Sequence, residues 1–205
     1  MIKPIIFNTD MVRAILDGRK TVTRRICKDG NAYTVPDMSF YDANRRTYAI
    51  HSFADMEHTD QVSTAERTCP ICSGDILWVR ETWNECGKGY KYKADWEKDD
   101  IVDIAKWKPS IHMPKVAARI WLKVMDVRVE LLWSITEEQA KEEGANWKDG
   151  KNVGWEEKMR RSAVERFAEI WNFTIKKPDL PRYGWEANPW VWVIGFERCG
   201  KLEET

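Results

Sequence analysis

Five cysteines (27, 69, 72, 86 and 199) are an odd number and cannot all pair within one chain, so no disulfide framework is indicated. No apolar run is long enough to span a bilayer or to form the core of a signal peptide. A reducing cytoplasm, with no membrane partner, is the compartment these two absences imply. Net charge is also missing. Thirty-three Lys plus Arg offset 33 Asp plus Glu, so no global field draws the chain to nucleic acid, and any such contact must come from a local patch. There is no phosphate-cradling glycine loop, because Gly87-Lys88-Gly89 lacks the required spacing. No Ser/His/Asp order stands out, and repeats, low-complexity tracts and long linkers are lacking. A chain of 205 residues with none of these reads as one domain, 1–205, able to bury a real core.

Tryptophan is plentiful instead, with twelve residues. A tryptophan is a stacking platform for bases or, more often, a large core residue with a hydrogen-bonding tip. Trp121, Trp171, Trp190 and Trp192 sit inside patterned segments and are assigned to the core. Trp78 and Trp83 flank Arg80-Glu81 and either line a pocket or pack. Residues 118–132 read as a long strand with a defect. Ile120, Leu122 and Val124 share one face, but Val127, Val129 and Leu131 continue at odd positions, so the register slips at Met125-Asp126 as at a β-bulge. Trp190 to Phe196 is apolar on both faces, as in a strand covered on both sides. Between them Trp155, Met159, Ala163, Val164, Phe167, Ile170 and Trp171 form a helical stripe for core packing, with Lys158, Arg160, Arg161, Glu165 and Glu169 on its solvent side.

The densest chemistry lies in Ile15-Leu16-Asp17-Gly18-Arg19-Lys20-Thr21-Val22-Thr23-Arg24-Arg25. Met11, Val12, Ile15 and Leu16 have helical spacing, Asn8 or Thr9 can cap the helix start, and Gly18 suits the left-handed residue after its end. Lys20 to Arg25 then alternates like a strand, which puts Lys20 and Thr23 on opposite faces unless the first residues still belong to the turn. A lysine at such a junction, beside threonines, can activate a hydroxyl or hold an anion. Alone, a charged turn entering an edge strand is a solvated loop.

Three segments in order change that reading. Gly18-x-Lys20-Thr21-x-Thr23-x-Arg25 resembles the G-x-K-x-x-E-x-R signature of the ASCH family, small barrels of the PUA-like superfamily, with Thr23 in the acidic place. That threonine variant is similar to the bacterial acetylcytidine amidohydrolases. Gly74-Asp75-Ile76-Leu77-Trp78-Val79-Arg80-Glu81-Thr82-Trp83 resembles the G-D core strand, and Thr136-Glu137-Glu138-Gln139-Ala140-Lys141-Glu142-Glu143-Gly144 resembles the short acidic helix. The whole looks like the longer ASCH proteins of phages and prophages, for which the compartment is the host cytoplasm. Insertions at about 26–72 and 84–116 lie outside the family pattern.

The resemblance implies a mostly β (α+β), PUA-like barrel with peripheral helices. It also implies a protein that binds a nucleobase-containing ligand, in its sharpest form hydrolysing the amide of an acetylated cytidine or similar modified nucleoside. It carries the catalytic lysine, threonine and glutamate onto Lys20, Thr23 and Glu143. In that scheme a desolvated Lys20 takes a proton from Thr23, and Glu143 delivers one to the departing amine. Glu143 otherwise belongs to a solvated acidic helix. Candidate ligand contacts are Arg19, Thr21, Arg24, Arg25, Trp78, Arg80, Glu81, Trp83 and His112.

The alternative is a non-catalytic RNA- or DNA-binding module, in which Arg19, Lys20, Arg24, Arg25, Arg45 and Arg46 contact phosphates. Cys69-Pro70-Ile71-Cys72 has the spacing of half a zinc site. With no second such pair, it is either two ordinary thiols or a structural zinc completed by Cys27, Cys86, Cys199, His51 or His58. No other cofactor is indicated, and oligomeric state is left open. Trp107 to Lys115, bracketed by prolines, is expected to be extended loop.

Overall fold

The computed structural model describes residues 1–28, 34–42, 44–53, 62–87, 89–96, 106–145 and 162–201. Strand β1 (Ile2–Ile6) leads into helix α1 (Thr9–Leu16). Asn8 caps α1, its side chain accepting from the Met11 amide at 2.9 Å, and Val12, Ala14 and Ile15 turn inward. Gly18 follows with φ of +73°, where a side chain would be strained. Strand β2 (Val22–Ile26) comes next, then an antiparallel meander of β3 (Thr34–Asp42), β4 (Thr47–Phe53) and β5 (Val62–Thr68). After β6 (Ile76–Arg80), β7 (Trp83–Cys86) and β8 (Gly89–Tyr92) form a hairpin, and β9 (Trp121–Leu131) crosses the molecule. Helices α2 (Glu137–Glu142), α3 (Ala163–Thr174) and α4 (Leu180–Tyr183) precede β10 (Trp190–Cys199).

The main sheet has the order β1-β6-β9-β10-β2, with β1 parallel to β6 and the other pairs antiparallel. This is the expected α+β fold dominated by strands. The expected barrel, however, does not close, because β1 and β2 remain the two edges of an open ladder. A side chain spans those edges where backbone pairing does not. Arg25 of β2 donates to the Ile6 carbonyl of β1 at 2.7 Å and lies 5.0 Å from the ring centroid of Phe7.

The bulge falls where the sequence slips. Gly195 pairs with Asp126 and Phe196 with Val124, leaving Met125 as the extra residue on β9. Alternation along β10 then separates two cores. Trp192, Ile194 and Phe196 join Phe7, Leu77, Val79, Ile120 and Leu122, while Val191 and Val193 meet Phe167 and Trp171 of α3. The helical stripe holds for Ala163, Phe167 and Trp171, but α3 starts at Ser162, whose side chain accepts from the Glu165 amide while Glu165 reaches back to Ser162. The predicted first part of that stripe, at 155–161, lies outside the described residues. Tyr48, from the first insertion, stands edge-on to Trp192 with centroids 4.9 Å apart, so the meander shares the main core.

The proline-bracketed segment departs from expectation. It forms two 3-10 turns, Ser110–His112 and Lys115–Ala117, with Pro109 and Pro114 as their extended caps and Met113 buried between them.

Candidate functional site

Two turns bring the sequence-predicted catalytic residues together. After Gly18 the chain folds back, so that the Lys20 amide bonds the Ala14 carbonyl and the Thr21 amide bonds the Glu142 carbonyl, at 3.0 and 2.9 Å. At the far end, α2 is capped by Thr136, with Gln139 answering it in a capping box, and Glu143 closes the last turn. Gly144 has φ of +85°, and a Cβ there would lie 3.0 Å from the Ala14 Cβ. Glycine thus lets α2 seat against α1, and Lys20 and Glu143 form an antiparallel bridge.

Lys20 is buried, and its ammonium donates to the Val22 carbonyl at 2.8 Å, the Glu143 carbonyl at 2.9 Å and Glu143 Oε2 at 2.5 Å. Three acceptors require three N–H groups, so this geometry belongs to the protonated lysine. Burial pulls its pKa below the ordinary 10.5. Glu143 opposes that shift, and the charges of Arg25 and Arg24 add to it. The other carboxylate oxygen of Glu143 accepts from Arg24 at 3.3 Å. Arg24, 4% exposed, also donates to Gln139 at 2.8 Å, lies 3.5 Å from Glu130, and covers the Phe167 ring. Burial lowers the Arg25 pKa as well, against the pull of Glu143.

Lys20 precedes the strand and curls back, so the alternation rule does not govern it. Its ammonium is 5.8 Å from the Phe7 centroid, the same ring that Arg25 covers. Thr23 and Arg25 share the face of β2 paired with Ile194 and Trp192. Thr23 is buried. Lys20, Arg24 and Arg25 thus surround Glu143, with half-buried Glu130 behind Arg24. Cations outnumber carboxylates, an arrangement that favours an oxyanion.

The remaining candidates lie elsewhere. Arg19 pairs with Asp17 at 2.9 Å, and the Thr21 side chain is exposed. Trp78, Arg80, Glu81 and Trp83 belong to a second cluster, which meets the first where the Phe7 amide bonds the Arg80 carbonyl at 3.2 Å. Arg80 covers Trp78 and donates to the Ile111 carbonyl. Glu81 is buried in a bidentate pair with Arg119 at 2.9 and 3.0 Å, and burial raises its pKa against that guanidinium. Arg119 also bonds Asp95 and lies over Tyr92. Trp83 is buried beneath Lys108, and His112 is exposed on its 3-10 turn. Glu81 and Trp83 are thus buried against Arg119 and Lys108. Sequence reasoning did not connect Gln139, Glu130 and Phe7 with the site. Gln139 carried a signal, the Thr136-x-x-Gln139 cap, whereas Phe7 had none.

Cys69 and Cys72 are buried, and the Cys69 thiol donates to the Ile71 carbonyl at 2.8 Å. Burial, followed by its bond and proximity to Cys72, pushes the Cys69 pKa up to about 12. Among the described residues no group of three His, Cys, Asp or Glu side chains is placed to hold a metal, and His58 lies outside them. Among them, too, no helix is long and apolar enough to cross a membrane.

The fold and site describe an α+β protein with an open mixed sheet and a buried lysine–glutamate–arginine cluster at its seam. No family model matches the chain, and no curated protein matches it. Among solved structures, a hypothetical protein, PH0355, superposes over 97% of this chain and 100% of its own, with a TM-score of 0.37 and 14% identity. A likeness at that level carries no argument about fold or function.

Proposed function

We propose that the protein binds a nucleobase-containing ligand at the seam between β1 and β2 and hydrolyses an acyl amide on its exocyclic amine, as the ASCH resemblance implies. The observation that supports this most is the 2.5 Å contact between buried Lys20 and Glu143 beside the start of β2, the strand that carries buried Thr23. A proton passed along that contact turns the ammonium into an amine and the carboxylate into an acid. Burial of Lys20 favours its loss of that proton. The amine takes the Thr23 proton, and the threonine oxygen adds to the acyl carbon. The resulting oxyanion faces Lys20, again an ammonium, and Arg25. Glu143 gives its proton to the nitrogen as the C–N bond breaks, and water then hydrolyses the threonine ester.

The RNA- or DNA-binding alternative draws on cations that are already engaged. Lys20 and Arg24 are buried in the cluster, Arg25 bonds Ile6, Arg46 bonds Asp75 at 2.5 Å, and Arg45 neighbours Asp42 and Glu66.

Chromatography of acylated nucleosides incubated with and without the protein tests the proposal. Wild type should release the free nucleoside. Thr23→Val and Glu143→Gln should each lose about a hundredfold or more in rate, and Lys20→Arg should be as damaging, because arginine holds an anion but does not deprotonate. Wild-type turnover by Lys20→Arg would exclude the lysine as base, and failure of wild type to deacylate any nucleoside would overturn the enzyme reading.

A further inference from the structure

We propose that Arg24 is a positioning residue that fixes Glu143 by clamping both ends of α2. The inference rests on the reading of Lys20 and Glu143 as the working pair. Helix α2 has six residues, too few to hold its shape unaided in water. Its two ends converge on one guanidinium. One arm of Arg24 donates to Glu143 Oε1 at 3.3 Å, at the C-terminal cap. Another donates to Gln139 Oε1 at 2.8 Å. That same Gln139 oxygen accepts from the Thr136 amide at 3.2 Å, closing the N-terminal capping box. The guanidinium is held in turn by Glu130 of β9 and by the Phe167 ring of α3. A rigid fork with several donors can make both connections at once, whereas a lysine ammonium on a flexible stem offers a point charge.

The carboxylate of Glu143 is consequently shared, with Oε2 on Lys20 and Oε1 on Arg24. Without the second hold, rotation of that carboxylate would break its contact with Lys20. The charged groups around the pair are Lys20 before β2, Arg24 and Arg25 on β2, Glu130 on β9 and Glu143 on α2. Arg24 lies outside the G-x-K-x-x-T-x-R pattern, between Thr23 and Arg25, on the face of β2 turned towards α3.

Amide exchange in the free protein tests the clamp without depending on turnover. The reporters are the α2 amides of Ala140 and Glu143, bonded to the Thr136 and Gln139 carbonyls at 2.9 and 3.0 Å, with β9–β10 ladder amides as internal reference. Gln139→Leu, at a half-buried surface position, and Arg24→Gln should each reduce α2 protection about tenfold or more while the ladder keeps its protection. Arg24→Lys should fall between wild type and Arg24→Gln. Unchanged α2 protection in Gln139→Leu and Arg24→Gln would overturn the clamp. So would uniform loss in Arg24→Gln together with no change in Gln139→Leu. Where wild type deacylates a nucleoside, Arg24→Lys should lower kcat by up to about a hundredfold with KM little changed. A raised KM at unchanged kcat would show that Arg24 contacts ligand instead. If wild type deacylates nothing, the catalytic reading falls and the exchange data still decide the clamp.

Discussion

At the residue scale, buried charge among the described residues is concentrated at three places, the Lys20–Glu143 cluster, Glu81 and Asp75. The Asp75 side chain is fully buried and takes the N-terminal ammonium at 2.7 Å, Lys3 at 3.1 Å, Arg46 at 2.5 Å and the Cys72 amide at 3.0 Å. Burial pushes its pKa up, but the hydrogen bonds from the N-terminus, Cys72 and Lys3 prevail and hold it at about 2, against 3.8 for an ordinary aspartate. A carboxyl with a depressed folded pKa contributes stability that is full above the unfolded value and lost as pH falls through the folded one. The window here is pH 4 down to 2, and the contribution is about 2 kcal/mol. Asp75→Asn should therefore lower the urea midpoint at pH 7 and flatten the fall in stability over that window. An unaltered acid slope in the variant would show that another carboxylate governs it. The importance of Asp75 was half legible. Gly74-Asp75 stood out as the opening of a strand, but its partners come from Met1, Lys3 and Arg46, and spacing along the chain does not record such distances.

At the element scale, α2 is the piece whose placement decides the site. Its identity came from the resemblance of Thr136–Gly144 to a short acidic helix, and the capping box of Thr136 and Gln139 gives the local reason that it forms. Its docking was not legible, because that depends on Ala14 of α1, which lies far away in sequence. Gly144→Ala must tolerate φ of +85° and a Cβ 3.0 Å from that of Ala14. The expected cost is roughly 1–2 kcal/mol, seen as a lower unfolding midpoint. Adding Ala14→Gly should recover the part due to contact and leave the part due to backbone strain. Full recovery would show that the left-handed conformation is not strained, and no initial loss would show that α2 does not seat closely. The bulge of β9 was readable for the opposite reason, since a slip from even to odd apolar positions is written locally. Local signals conflicted at α3, where the stripe from Trp155 runs across the Ser162-x-x-Glu165 cap and the cap sets the observed start. The segment from Trp107 to Lys115 was read as extended loop, but only the prolines at 109 and 114 keep that conformation as caps, and the residues after each wind into 3-10 turns.

At the scale of the whole molecule, the strand-rich α+β class was legible from the family resemblance together with the strand alternation, and the open seam was not. Ladder closure is a property of strand tilt and register across the sheet, whereas the sequence shows only that each strand is apolar on the appropriate face. The seam matters because Lys20, Arg25 and Phe7 meet there, so one residue couples the shape of the sheet to the charge of the site. Arg25 holds β1 through the Ile6 carbonyl and also helps depress the Lys20 pKa through its charge. Two variants separate these roles. Arg25→Met removes the bond and the charge while keeping an apolar stem over Phe7. Arg25→Lys keeps the charge and loses the guanidinium geometry. Both should lose about 1 kcal/mol of stability through the seam hydrogen bond. Only Arg25→Met should raise the Lys20 pKa, because removing a neighbouring cation makes the ammonium less unfavourable. Side-chain nitrogen NMR of Lys20 across alkaline pH reads that shift directly, in the free protein. A Lys20 titration that is the same in Arg25→Met and wild type would mean that burial, not the seam arginine, sets the lysine's acidity, and the seam would then be a structural joint with no hold on the chemistry beside it.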